Sequence, residues 1–216
     1  MSSRFANRNK RCPNCKIHPN LCFCSLLVKE QNRTPIRIVM HKAERTLTTN
    51  TAYFCEKMLA DCQIHIRGLQ EKPLDIEGSF NQEDYTPLYL FPDEDSKDLT
   101  MEFLNELEKP PLLIVPDGSW AQAKKFKRRE SSLKNLISVK LPTINKSIYR
   151  LRTSPAPGAV CTYEAIAMAL GICDDRAIEN NMLEVFKVIT DRMYYSRKGI
   201  VNLDQLSEIL KKEGVN

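Results

Sequence analysis

Four groups of residues have types and spacings that can do chemistry. The first is Asp117-Gly118-Ser119-Trp120, which follows the apolar run 112–115 and precedes Lys124-Lys125-Phe126-Lys127-Arg128-Arg129. An acid delivered to the carboxyl end of a buried strand, just before a helix, stands where open α/β folds place ligand chemistry. Asp117 is either a proton acceptor or a plain residue of the strand-to-helix turn. Gly118 lets a backbone or ligand come close, and Ser119 can cap the helix that starts at Trp120. Trp120, the only tryptophan, is either a core residue or a stacking platform. The cationic helix behind the motif suggests a polyanion nearby.

The second group is Cys12, Cys15, Cys22 and Cys24. The Cys12–Cys15 pair has knuckle spacing, and a thiolate tetrad suits tetrahedral zinc. His18 could replace one ligand. So short a segment cannot build its own core, so bound metal would supply its folding energy. With four protein ligands the metal would be structural. The alternatives are a redox dithiol or idle thiols. The third group is residues 150–165, where Pro155, Pro157 and Gly158 restrict a loop between Arg150, Arg152 and a helix opened by Thr162, Glu164 and Ala165. Such a loop is a stiff connector or a cofactor wrap, and the helix N-terminus can face an anion. Both arginines are candidate carboxylate or phosphate partners. The fourth group, His41, Lys42 and Glu44 followed by Asn50 and Thr51, offers site groups and a helix start.

The elements that must position these groups alternate between strand and helix. Strands are expected at 36–40, 64–67, 88–91, 112–115 and 136–141. Helices are expected at 49–62, 98–108, 119–130, 162–172, 176–195 and 203–213. That alternation favours an α/β fold with a mostly parallel sheet. The polar, cysteine-rich residues 1–30 read as a separate unit, leaving 31–216 as the main domain. The 216 residues suffice for one such domain plus a small appendage. The net charge of +5 is modest, but the bases cluster at the N-terminus and at 124–129. No apolar run reaches bilayer length, and the N-terminus lacks a signal-peptide core. The expected compartment is therefore the cytoplasm, where disulfides are rare. No dinucleotide fingerprint, phosphate loop or nucleophile elbow occurs in the sequence.

Taken together, the four segments resemble the DTW-domain family, the tRNA-uridine aminocarboxypropyltransferases. The likeness covers nearly the whole chain. It rests on the cysteine clip, the strand followed by His41-Lys-x-Glu44 and Asn50-Thr51, the Asp117-Gly-x-Trp120 motif, and the Pro155/Pro157/Gly158 loop leading into Thr162-x-Glu164-Ala165. Ser119 stands where Thr is typical, which keeps a hydroxyl, and Cys161 stands where many members carry Ser.

The resemblance implies a SPOUT-like fold with a trefoil knot that holds S-adenosylmethionine. It implies transfer of the 3-amino-3-carboxypropyl group to N3 of a tRNA uridine, with 5′-methylthioadenosine as by-product. Asp117 would be the base. Pro92, Pro116, Trp120, Arg152, Pro155, Pro157, Thr162 and Glu164 would line the cofactor pocket. Zinc would sit on the four clip cysteines. Lys124, Lys125, Arg128 and Arg129, with bases around the clip, would grip tRNA. The rivals are a SPOUT-type RNA methyltransferase, an rRNA-modifying relative and a non-catalytic zinc-clip RNA-binding protein. The sequence leaves oligomeric state open.

Overall fold

The structure is a computed structural model that describes residues 11–69, 74–142, 147–151 and 159–214. Six strands form one sheet in the order β2-β1-β5-β3-β6-β4. They are β1 (Ile36–His41), β2 (Cys62–Arg67), β3 (Thr86–Leu90), β4 (Lys97–Asp98), β5 (Pro111–Asp117) and β6 (Ile137–Lys140). Every neighbouring pair is parallel. The helices are α1 (Ala52–Met58), α2 (Met101–Asn105), α3 (Trp120–Arg129), α4 (Ser131–Lys134), α5 (Thr162–Cys173), α6 (Arg176–Arg197) and α7 (Leu203–Lys212).

A parallel sheet needs cover on both faces, and its strands therefore read as apolar runs. Alternation then divides each run between two layers. Ile36, Ile38 and Met40 of β1, Leu88 and Leu90 of β3, and Leu113 and Val115 of β5 face the layer that holds α1, α5 and α6. Val39, Tyr89, Leu112 and Ile114 face the other layer, which takes Ala123 and Phe126 from α3. The same alternation sends Asp117 towards α1 and α5, and Pro116 towards α3. Pro116 has no N–H to give a central strand. It is tolerated because pairing of β5 with β3 stops at Ile114, leaving β1 as the paired neighbour. That divergence opens the crevice described below.

Two expected elements differ. The helix expected at 49–62 is only Ala52–Met58, because Leu59 is extended and β2 begins at Cys62. The helix expected at 98–108 is split. Asp98 pairs with Lys140, the Leu99 N–H reaches the Lys140 carbonyl at 2.8 Å, and Thr100 then caps α2. The loop after β6, one of those expected to form the knot, includes residues 143–146 and 152–158, which lie outside the described residues.

Described residues of the cysteine-rich segment pack on the core. Cys15, Ile17, Leu21 and Phe23 are buried in the same layer as α5 and α6. Phe23 meets Phe54 edge-on at 5.3 Å, and the Arg192 guanidinium donates to the Cys22 carbonyl at 2.6 Å. The clip and α3 therefore occupy opposite faces of the sheet. Among the described residues, no helix is long and apolar enough to cross a membrane.

Candidate active site

Asp117 ends β5 with its side chain 5% exposed. The Asn50 amide donates to Oδ2 at 2.6 Å, and the Thr162 hydroxyl donates to Oδ1 at 2.7 Å. Asn50 cannot turn over, because its own Oδ1 accepts the Ala52 N–H at 2.8 Å. One carboxylate is thus gripped by the residue that leads into α1 and by the first residue of α5. Donors to both oxygens favour the ionised form.

A side chain at the next residue, Gly118, would displace the Gln122 amide. A Cβ there would lie 2.8 Å from Gln122 Oε1. That oxygen accepts the Ser119 N–H at 2.7 Å while Ser119 Oγ accepts the Gln122 N–H at 3.3 Å, a reciprocal capping box. The hydroxyl at 119 therefore caps α3, and Ser serves this purpose as Thr would. Starting α3 there puts Trp120 at its first position, 44% exposed, with its ring 5.8 Å from Phe91.

A crevice opens at the carboxyl ends of β3, β5 and β6. Its walls include Phe91 and Pro92 after β3, Pro116 and Gly118, Trp120 of α3, and Thr162 of α5. Pro92, Pro116, Trp120 and Thr162 were all expected on such a pocket. Phe91 and Lys140, also on the wall, were not. Among the described residues the walls are apolar and aromatic with one cationic side chain, Lys140, a lining that suits a ligand with an apolar body and an anionic group.

Glu164, expected in the same pocket, is 1% exposed and has its oxygens occupied. Oε2 accepts from Ser147 Oγ at 2.7 Å and from the Cys161 N–H at 3.0 Å. Oε1 accepts the Ile148 N–H at 2.8 Å. It ties residues 147–148 to the start of α5. Cys161 caps that helix through its sulfur, and burial pushes its thiol well above the ordinary range. Arg152, Pro155 and Pro157 lie outside the described residues. Arg150 reaches Asp191 at 3.7 Å and Glu213 at 3.8 Å.

His41 lies on the opposite face of the sheet from Asp117. Its ring stacks on Phe126 at 6.2 Å, and its Nδ1 accepts the Ala43 N–H at 3.2 Å. The basic run on α3 is not uniform. Lys124, Lys125, Arg128 and Arg129 are exposed. Lys127 turns inward to Asp93 at 3.3 Å and to the buried Ser138 hydroxyl, which itself donates to Asp93 at 2.6 Å. Burial raises the Asp93 carboxyl, but Ser138 and Lys127 outweigh it and leave a net lowering.

The ligand atoms of Cys12, Cys15, Cys22 and Cys24 lie within 4.8 Å of one another. Cys12 and Cys22 are 3.6 Å apart, Cys12 and Cys24 3.6 Å, and Cys15 and Cys22 3.7 Å. Zinc–sulfur bonds of about 2.3 Å require tetrahedral edges of about 3.8 Å, close to these three separations, so the cluster is compatible with the ion. Burial raises the thiols of Cys15 and Cys24, whereas the Cys15 backbone N–H lowers Cys12 to about 6. A divalent cation would let all of them ionise together. Lys16 turns the chain after Cys15 in the left-handed region, at φ 63°. His18 instead accepts the Asn20 N–H at 3.3 Å and caps a short 3-10 turn.

Sequence reasoning missed Asn50 as a partner of Asp117 and missed the Asp93–Ser138–Lys127 cluster. Asn50 carried only a helix-start signal, and nothing local announces a partner 67 residues away.

The DTW domain model matches residues 9–194. Curated relatives include tRNA-uridine aminocarboxypropyltransferase 2 of Drosophila melanogaster, 28% identical over 177 residues, covering 79% of this chain and 69% of that protein. Its counterpart in Mus musculus is 26% identical over 189 residues, covering 85% and 63%. This chain therefore spans less than two thirds of the mouse protein. tRNA-uridine aminocarboxypropyltransferase A of Arabidopsis thaliana is 27% identical over 239 aligned positions, covering 97% and 89%. Among solved structures, the SAM-dependent rRNA:acp-transferase Tsr3 from Vulcanisaeta distributa is similar at a TM-score of 0.46 and 20% identity, covering 82% of this chain and 89% of that one.

Proposed function

Because the chain belongs to the DTW-domain family, we propose that it transfers the 3-amino-3-carboxypropyl group of S-adenosylmethionine to N3 of a tRNA uridine, giving acp3U and 5′-methylthioadenosine. The names of the curated relatives support this reading. The observation that carries it is a carboxylate fixed by Asn50 and Thr162 beside an apolar, aromatic-walled crevice.

When bound, S-adenosylmethionine supplies a carbon already attached to a sulfonium leaving group. The chain must do the rest. Uracil N3 carries a proton and is a poor nucleophile until that proton leaves, so Asp117 serves as the proton acceptor. Pro92, Pro116 and Trp120, with Phe91, would hold the cofactor and select which of its carbons faces N3, a matter of positioning. Lys140 is the described cation on the wall and suits its carboxylate. Glu164 acts on the loop at 147–148 rather than on the ligand. Lys124, Lys125, Arg128 and Arg129 would contact tRNA phosphates. The clip lies across the sheet from them, so its bases would need a second region of the tRNA.

The four cysteines would hold one structural Zn²⁺, with 1–30 as the zinc segment and 31–216 as the catalytic domain. Cytoplasmic residence fits a clip whose four thiols must stay reduced to hold metal. The test is mass spectrometry of nucleosides from tRNA incubated with the protein and S-adenosylmethionine. Appearance of acp3U is expected. A methylated uridine, or no modified nucleoside, would overturn the assignment.

A further inference from the structure

Resting on that transfer reaction, we propose that Asp117 does not meet the uridine itself, and that the Thr162 hydroxyl is the catalytic group that does, relaying the N3 proton to Asp117. The starting observation is placement. Pro116 and Gly118, on either side of Asp117, are wall residues of the crevice, and so is Thr162, but Asp117 is not. Its side chain is turned into the α1–α5 layer and is 5% exposed. A base must come within hydrogen-bond reach of the proton it removes, directly or through one intervening group. Thr162 is such a group. It stands on the wall, and its Oγ1 is 2.7 Å from Asp117 Oδ1.

Hydrogen-bond inventory fixes the direction of the relay. A hydroxyl has one proton to donate and two lone pairs. An ionised carboxylate is acceptor-only, so the Thr162 proton is committed to Asp117. What Thr162 can show the crevice is therefore an acceptor, which is what an imide N–H requires. Asn50 holds the other carboxylate oxygen at 2.6 Å, with its amide locked by the Ala52 N–H. Asp117 is thereby prevented from rotating away from Thr162. Asn50 is a positioning residue in this scheme.

The step balances. The N3–H bond breaks and its proton forms a bond to Thr162 Oγ1, while the proton already on Oγ1 passes to Asp117 Oδ1. The electron pair freed on N3 forms the new N–C bond, and the C–S bonding pair departs with sulfur. The carboxylate and the sulfonium, one negative and one positive, both end neutral. No oxidant, reductant or further reactant is needed. The buried carboxylate returns its proton to solvent by the same route once product leaves.

The test compares Thr162→Val, which keeps the shape and removes the hydroxyl, with Thr162→Ser, which keeps the hydroxyl. Cofactor binding is read separately from turnover through Trp120, the single tryptophan, which is half-exposed on the wall. Thr162→Val is assayed at saturating S-adenosylmethionine, so that a change in cofactor affinity from this wall position stays out of the rate. Its rate of methylthioadenosine release with tRNA should fall by about 10²–10⁴, the usual range for loss of general-base catalysis. Thr162→Ser should retain most of the rate. Single-turnover rates of wild type in mixtures of H₂O and D₂O should curve, as expected when two protons move together. A near-wild-type rate in Thr162→Val overturns the relay, as does an inactive Thr162→Ser that still binds cofactor normally. Wild-type protein that releases no methylthioadenosine would overturn the transfer reaction itself, a distinct outcome.

Discussion

Glu164→Gln separates loop clamping from cofactor binding, the two roles open to a buried acid at the start of α5. The glutamate accepts two backbone N–H groups, from Ile148 at 2.8 Å and Cys161 at 3.0 Å, one on each oxygen, and the Ser147 hydroxyl at 2.7 Å. An amide has one oxygen and one NH₂. With NH₂ at the Oε1 position, it opposes the Ile148 N–H. With NH₂ at the Oε2 position, Ser147 can turn to accept, but the Cys161 N–H is opposed. In either orientation one backbone donor loses its partner at a site that is 1% exposed. Losing a hydrogen bond to a charged group costs about 1.5–3 kcal/mol. For a chain of this size each kcal/mol corresponds to about 2–4 °C, so a fall in Tm of about 3–12 °C is expected. Thermal unfolding by circular dichroism, run beside a Trp120 fluorescence titration with S-adenosylmethionine, reads both quantities. An unchanged Tm combined with lost cofactor affinity would refute the clamp and return Glu164 to the ligand.

Other predictions follow from particular contacts. Gly171→Ala would press a Cβ onto the Glu179 carboxylate and 2.8 Å from the Glu179 Cβ. The α5–α6 packing must therefore part, at about 1–3 kcal/mol, read as a lower denaturant midpoint; an unchanged midpoint would contradict that packing. Anaerobically purified protein should carry zinc in a tetrathiolate site, and Cys15→Ser or a strong chelator should lower Tm, because clip residues are part of the core; metal-free protein with the same Tm would contradict this. Removing charge at Lys124, Lys125, Arg128 and Arg129 should weaken tRNA binding and flatten its salt dependence. Lys127→Ala should instead cost stability through the Asp93–Ser138 cluster; a patch variant with unchanged affinity would make that surface merely solvated.

How far the sequence reached depended on the range of the signal. β1 and β5 are apolar runs and were legible, as were the long helices α5 and α6, whose patterns are local. The cysteine cluster was legible because all four ligands fall within one short segment. The split at 97–101 was not, since Lys97 and Asp98 become a strand only by pairing with Val139 and Lys140. Ser119 was read correctly as a cap from its place before a helix. Trp120 was ambiguous because exposure at a helix start depends on what stands opposite, here Phe91. For Glu164, the position at the helix start was readable, but its partners at 147–148 were not. Asp117 was found at its strand end, whereas Asn50 and Thr162, donors 67 and 45 residues away, required the fold.

The most direct test of the proposed activity is the identity of the by-product when the protein acts on tRNA with S-adenosylmethionine. Chromatography of the small molecules should show 5′-methylthioadenosine accumulating in step with acp3U, and neither forming with Asp117→Ala. S-adenosylhomocysteine in its place would contradict the account, as would undiminished methylthioadenosine from Asp117→Ala.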